Sequence, residues 1–174
     1  MTTLYIDESK SNGYVIVTAV VASGDVAQMR KSVAAMRRGG QRRIHFVKEN
    51  DRRRREILSE FERMGVRATI YRAEGLSDAD ARELCFGAIV ADAVASAVDR
   101  IVLERDDSIE KWDRGVLYRE LDARGMRHKI TYSHDTSAGE LLLCVPDAIA
   151  WSYARGGEWS YRIEALIIEV KKLN

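Results

Sequence analysis

Leu4-Tyr5-Ile6-Asp7-Glu8-Ser9 carries an apolar run directly into two carboxylates. A core strand ordinarily ends in turn residues, and a carboxylate set beside a core needs a cationic partner, a proton or a metal. The competing reading is that Asp7 only opens a turn with Ser9, Asn12 and Gly13. Alternation along a strand puts Leu4, Ile6 and Glu8 on one face and Tyr5 and Asp7 on the other. The two acids can share a site only if the strand ends between them. Asp7 comes first and is better anchored, so it is the candidate.

Working outward, a Ser-Asn-Gly turn leads into a β-branched run at residues 14–22, which predicts a hairpin with the first strand. Residues 25–37 are expected to be helical, with Asp25 as N-cap and Gly39-Gly40 as the stop. A short strand is expected at 44–47, and an amphipathic helix at 51–64 with Ile57, Leu58, Phe61 and Met64 on its apolar stripe. Gly65 stops that helix. Further strands are expected at 66–71, 100–104 and 129–133, with helices at 78–97, 112–123 and 139–154 and an amphipathic segment at 160–172. Alternating strands and helices behind a hairpin indicate an α/β layered domain whose mixed sheet has an antiparallel part. The 174 residues suit a single domain over 1–174.

Charged residues make up 32% and hydrophobic ones 46%, which excludes a disordered chain. No apolar stretch approaches the roughly 18 residues that span a bilayer, and no basic-then-apolar leader opens the chain. Cys85 and Cys144 sit in apolar helical patterns without ligand spacing, as buried thiols in a reducing cytoplasm would. The net charge of +1 hides an asymmetry: residues 37–55 hold nine Lys or Arg against two acids, Glu49 and Asp51. A stripe of that density supplies phosphate contacts to a nucleic acid, with Arg42, Arg43, Lys48, Arg52, Arg53, Arg54 and Arg55 as candidates; the alternative is a solvated helix face. Arginines at a helix N-terminus also oppose the macrodipole, as they would where an anion is expected.

A second strand, ending Val102-Leu103-Glu104, runs into Asp106 and Asp107, and sites in α/β sheets lie outside strand ends. In Leu141-Leu142-Leu143-Cys144-Val145-Pro146-Asp147-Ala148-Ile149-Ala150-Trp151, Asp147 is the single charge in a helix that is apolar nearly all round. It must be paired with an Arg, protonated or metal-bound, and Pro146 is expected to bend the helix beside it. Asp7, Glu104 and Asp147 form a hard oxygen donor set suited to Mg2+ or Mn2+ and to two-metal phosphodiester hydrolysis. His45 is a candidate general acid and Glu49 a candidate fourth acid. His128 and His134 lack ligand spacing and read as structural, and Asp135 reads as a turn or cap. Trp151, Tyr153, Trp159 and Tyr161 read as core or as a homodimer surface.

These residues resemble a bacterial and phage family of ribonuclease H-like proteins, catalogued as domain of unknown function number thirty-eight hundred. The likeness rests on Tyr5-Ile6-Asp7-Glu8-Ser9, on Arg43-Ile44-His45-Phe46-Val47-Lys48-Glu49 with the arginine-rich helix after it, on Val102-Leu103-Glu104-Arg105, and on Leu142 to Ala150. Cys144 stands where the family commonly has Gln, and Pro146 where it has Ala. The resemblance implies a ribonuclease H-like mixed sheet that gathers Asp7, Glu104 and Asp147, with Glu49 or His45 beside them. The expected function is a metal-dependent nuclease acting on RNA or DNA. The alternative is a non-catalytic nucleic-acid or protein-binding module on the same scaffold.

Overall fold

The computed structural model describes all 174 residues. Its centre is one six-stranded sheet in the order β5-β4-β1-β2-β3-β6. β1 (Thr2–Ser9) and β2 (Tyr14–Ala22) form the expected antiparallel hairpin, with Asp7 opposite Val17. Its turn places Asn12 and Gly13 at φ 63 and 102, the left-handed region that favours these two residue types. β3 (Arg67–Ala73) continues the antiparallel part. β4 (Arg100–Glu104) lies parallel to β1, β5 (Thr131–Asp135) parallel to β4, and β6 (Ile167–Lys172) parallel to β3.

Strand alternation sends side chains into two separate cores. Tyr5, Val15, Val17 and Val102 pack under α1 (Ser23–Met36), α2 (Asp51–Arg63) and α5 (Cys144–Arg155), with Trp159 of α6 (Glu158–Arg162) alongside. Leu4, Ile6, Ile16, Ile101 and Leu103 pack on the other face under α3 (Asp78–Ala95) and α4 (Glu110–Ala123). The mixed α/β architecture is therefore as expected, and so is the division of β1 between its two faces.

Local expectations fail where tertiary packing overrides pattern. Residues 44–47 form no strand: Ile44 and Phe46 are buried, the chain turns through a 3₁₀ helix at Phe46–Lys48, and Arg54 takes the Phe46 and Val47 carbonyls. Asp25 does not cap α1, which begins two residues earlier after Ala22 without a side-chain cap and ends at Met36, before the glycines. The strand expected at 129–133 sits two residues later. The amphipathic segment 160–172 divides: a short helical part ends by Leu166, and the β-branched Ile167-Ile168-Glu169-Val170 run joins the sheet as β6. Pro146 does not bend the middle of a helix. A 3₁₀ turn covers Leu141–Leu143 and α5 starts at Cys144, so Pro146 lies in the first turn, where backbone N–H groups lack intrahelical partners anyway.

Candidate active site

The β1–β4 pairing ends at Ile6 opposite Leu103, and the next residue on each strand is an acid, Asp7 and Glu104. Both lie on the face of Tyr5 and Val102, against which α5 packs. The first turn of α5 brings Asp147 to the same place. Sequence-distant carboxyls thus converge because two parallel strands stop in register beneath one helix start.

Their electrostatics are those of a like-charge cluster. Burial, then the charges of Asp147 and Glu104, hold the Asp7 carboxyl well above the usual carboxylate range. Burial also raises Asp147; the Phe46 N–H, donating to Oδ2 at 3.3 Å, works against this, and Glu104 adds to it. His45 and Arg43 lower Asp147 from a distance, which places both at the rim of the cluster. Neither Asp7 nor Asp147 has a Lys, Arg or His within ion-pair distance, so the anticipated Arg partner of Asp147 is not there. Glu104 has one: Arg43 Nη1 stands 3.0 Å from Oε1, and the buried Ser137 hydroxyl donates to the same oxygen. The Glu8 N–H donates to Asp7 Oδ1 at 2.8 Å and fixes that carboxyl's orientation.

Asp135, expected as a turn or cap residue, takes another position in the sheet register. It pairs with Glu104 at the end of β5 and alternates with His134, which faces α4; its side chain therefore belongs to the face of Asp7 and Glu104. Its Oδ1 accepts the Thr136 N–H at 2.8 Å. The missed signal was the strand itself, shifted by two residues so that it too ends in an acid.

Glu49 is buried away from this group; it accepts from Gln41 Nε2 at 2.8 Å and faces Arg53 at 3.8 Å. Two arginines of the stripe, Arg53 and Arg54, are turned inward. Arg53 donates to the Met36 carbonyl, and Arg54 holds two loop carbonyls and lies 4.4 Å from the Trp151 ring centre. Arg52 and Arg55 pair with Glu56 and Glu158. Arg42 and Lys48 are exposed, and no acid lies within ion-pair distance of either. On the opposite face, Arg82 forks onto Asp113 at 2.6 and 2.8 Å and reaches Glu8 and Tyr14, while His134 meets Asp113 at 3.2 Å. A cavity of about 540 Å³ opens over the ends of β1 and β4, lined by Asp7, Glu8, Arg82 and Glu104 among others.

All donors at the carboxylate cluster are hard oxygens, and the half-buried like charges have no cation of their own at Asp7 or Asp147; this fits Mg2+ or Mn2+. No three His, Cys, Asp or Glu side chains enclose an ion position by themselves. The cluster is open, in the manner of magnesium sites that waters and phosphate oxygens complete.

No family model matches the chain, and no curated protein matches it. Among solved structures it is similar to RNase HII from Archaeoglobus fulgidus, determined in complex with PCNA. The TM-score is 0.58 and the identity 16%, over 89% of this chain and 73% of that one. At that identity the likeness shows a ribonuclease H-like fold. The fold part of the family resemblance is thereby supported, while membership of the family of unknown function is not. No helix is long and apolar enough to cross a membrane.

Proposed function

We propose that this chain is a magnesium- or manganese-dependent nuclease that hydrolyses phosphodiester bonds of RNA or DNA. The observation that carries the reading is the pair Asp7 and Asp147: two half-buried carboxyls, held toward protonation by the protein packed around them and by Glu104, with no cation in contact. A soluble fold gains nothing from such a pair unless something positive arrives. The ribonuclease H-like fold supports the same direction.

Asp7, Glu104 and Asp147 would hold the ions, with Asp135 beside Glu104 on the neighbouring strand. Bound divalent ions supply an activated water and stabilise the charge that develops on the phosphate. The chain's own groups do the positioning. The Glu8 and Phe46 N–H groups orient Asp7 and Asp147, and Ser137 and Arg43 orient Glu104. His45, at the rim near Asp147, is set to protonate a leaving oxygen or steady the scissile phosphate. Arg42 and Lys48 are the free cations for the backbone, and Arg52 and Arg55 can exchange their acid partners for phosphate. Arg53 and Arg54 build the loop that carries His45.

The test is calorimetric Mn2+ binding to wild type and Asp7→Asn, with and without an oligonucleotide, followed by cleavage assays on RNA, DNA and hybrid. Binding is expected in wild type and lost in the variant. Cleavage should fall by roughly 100-fold or more while nucleic-acid affinity is retained. Full activity in Asp7→Asn would sink the assignment. The second reading, a non-catalytic binding module, is favoured by the prior engagement of Glu104 with Arg43 and Ser137. It predicts nucleic-acid binding with neither Mn2+ binding nor cleavage.

A further inference from the structure

We infer that the surface beside Trp151 is a subsite for one unpaired nucleotide of the strand bound at the carboxylates, an inference that rests on the nucleic-acid reading above. Two rows of side chains lead to it. Along β1, Asp7 and Ser9 share a face, and Ser11 follows in the turn. Along α5, Asp147, Trp151 and Arg155 recur every four residues on one side of the helix. Two strand residues advance about 6.6 Å and four helical residues about 6 Å, so the rows keep step as they leave the acids. Their outer halves meet around a cavity of about 280 Å³ lined by Ser9, Ser11, Asn12, Trp151, Ala154 and Arg155.

The chemistry of that lining matches a nucleotide. Trp151 is half-buried and held rigidly: its ring meets Phe46 edge-on at 5.4 Å and Trp159 at 5.5 Å, and the Arg54 guanidinium lies against it. A pre-set indole bordering an open cavity with Ser, Asn and Arg side chains around it is a stacking platform that loses little entropy on use. Arg155 is exposed with no acid within ion-pair distance, whereas Arg55 and Arg162 nearby in the fold share Glu158. Its place at the end of α5 suits the helix dipole, but the dipole does not account for the indole one turn away. The Asn12 side chain in the tight turn accepts and donates no hydrogen bond within the chain. The base would stack on Trp151, a backbone phosphate would meet Arg155, and Ser11 and Asn12 would contact sugar or base edges. Stacking is tolerant of sequence, so the subsite selects for an unpaired nucleotide rather than for a particular base.

The experiment is fluorescence anisotropy with short labelled oligothymidylate and oligouridylate in EDTA, which uncouples binding from metal and cleavage. Trp151→Leu is expected to weaken binding by about 5- to 150-fold, and Trp151→Phe by only a few-fold. Arg155→Gln, a surface change that leaves the core intact, should reduce the log–log salt slope by about 0.7. The difference between RNA and DNA affinity reports whether the turn reads the sugar. Wild-type binding with both Trp151→Leu and Arg155→Gln unchanged overturns the subsite and leaves the nuclease reading standing. Cleavage or binding of duplexes without single-strand binding does the same. No binding of any nucleic acid by wild type overturns both.

Discussion

Asp7 and Glu8 are neighbours in sequence and opposites in environment. Glu8 faces α3, where Arg82 and Tyr14 satisfy it and Arg82 goes on to clamp Asp113. Asp7 faces α5, where its closest charged company is Asp147 and Glu104. The pleat of one strand thus divides a completed ion network from an incomplete one. A buried carboxylate with its cation supplied by the fold is architecture, because burial and attraction are both settled within the chain. A half-buried carboxylate whose fold supplies only more carboxylates costs stability, and is understandable where a ligand makes good the deficit.

The largest effect is expected on the completed side. Arg82→Met leaves the buried Asp113 with only His134 beside it and the half-buried Glu8 with Lys10 at 3.6 Å as its only cation, and should cost about 3–5 kcal/mol in denaturant unfolding. Burial works against the Arg82 charge, yet its Asp113 hydrogen bonds and Glu8 leave its pKa raised. A loss below 1 kcal/mol would show that the clamp is dispensable and blur the contrast between the faces.

The incomplete side should behave in the opposite sense. Asp7→Asn removes a charge from a crowded group, so the metal-free variant should be more stable at neutral pH, on the order of 1 kcal/mol or 2–4 °C in Tm. The pH dependence separates the faces further. Burial opposes the Asp113 charge, but Arg82 and His134 hold its pKa below the usual value. The stability it contributes is present above the unfolded carboxylate pKa near 4 and is lost as pH falls through the depressed value. Asp7 and Asp147 have raised pKa values, so the folded state binds the extra protons. Their penalty is absent below about pH 4 and grows as pH rises through the raised values. Unfolding free energies across pH should show a decline above pH 4 that Asp7→Asn flattens. An identical profile in the variant would mean that Asp7 is not strained by its neighbours.

Much of this division was legible in the sequence. The period of two in Leu4-Tyr5-Ile6-Asp7-Glu8 separates the acids before any coordinates are known, because each face carries its own hydrophobic set. Glu104 was legible for the same reason, as the first polar residue after Ile101-Val102-Leu103. Asp147 stood out as a lone charge in an apolar helix, although the start of that helix did not: three leucines satisfy a 3₁₀ turn as readily as an α-helix. Asp135 was hidden by a register error of two residues, since Lys129-Ile130 reads as strand until the sheet shows where pairing begins. Of the arginine stripe, only the density was legible. Density of charge says nothing about direction: Arg54 turns inward to the Phe46 and Val47 carbonyls, which no strand partner satisfies, and Arg53 to the Met36 carbonyl at the end of α1. A contact between residues that far apart in role is invisible to local pattern.

The smallest effect is the most selective test of the contrast. Arg43 is the one cation in direct contact with the carboxylate face, 3.0 Å from Glu104, and both partners are partly exposed. Such a pair is worth about 0–1 kcal/mol, so Arg43→Gln should barely move the unfolding midpoint. Its effect on ion binding should be clearer, because Arg43 competes electrostatically with any divalent cation that Glu104 would hold. Removing it leaves Oε1 with the Ser137 hydroxyl alone and strengthens the local negative field, and Mn2+ affinity should rise by about 2- to 5-fold, an amount equivalent to the lost pair energy. Nucleic-acid affinity should move the other way, since a cation at the rim is gone, and its salt dependence should become shallower. Weaker Mn2+ binding in Arg43→Gln would mean that Arg43 orients Glu104 for the ion more than it repels the ion. The boundary between completed and incomplete networks would then run through Glu104 rather than between the two faces of β1.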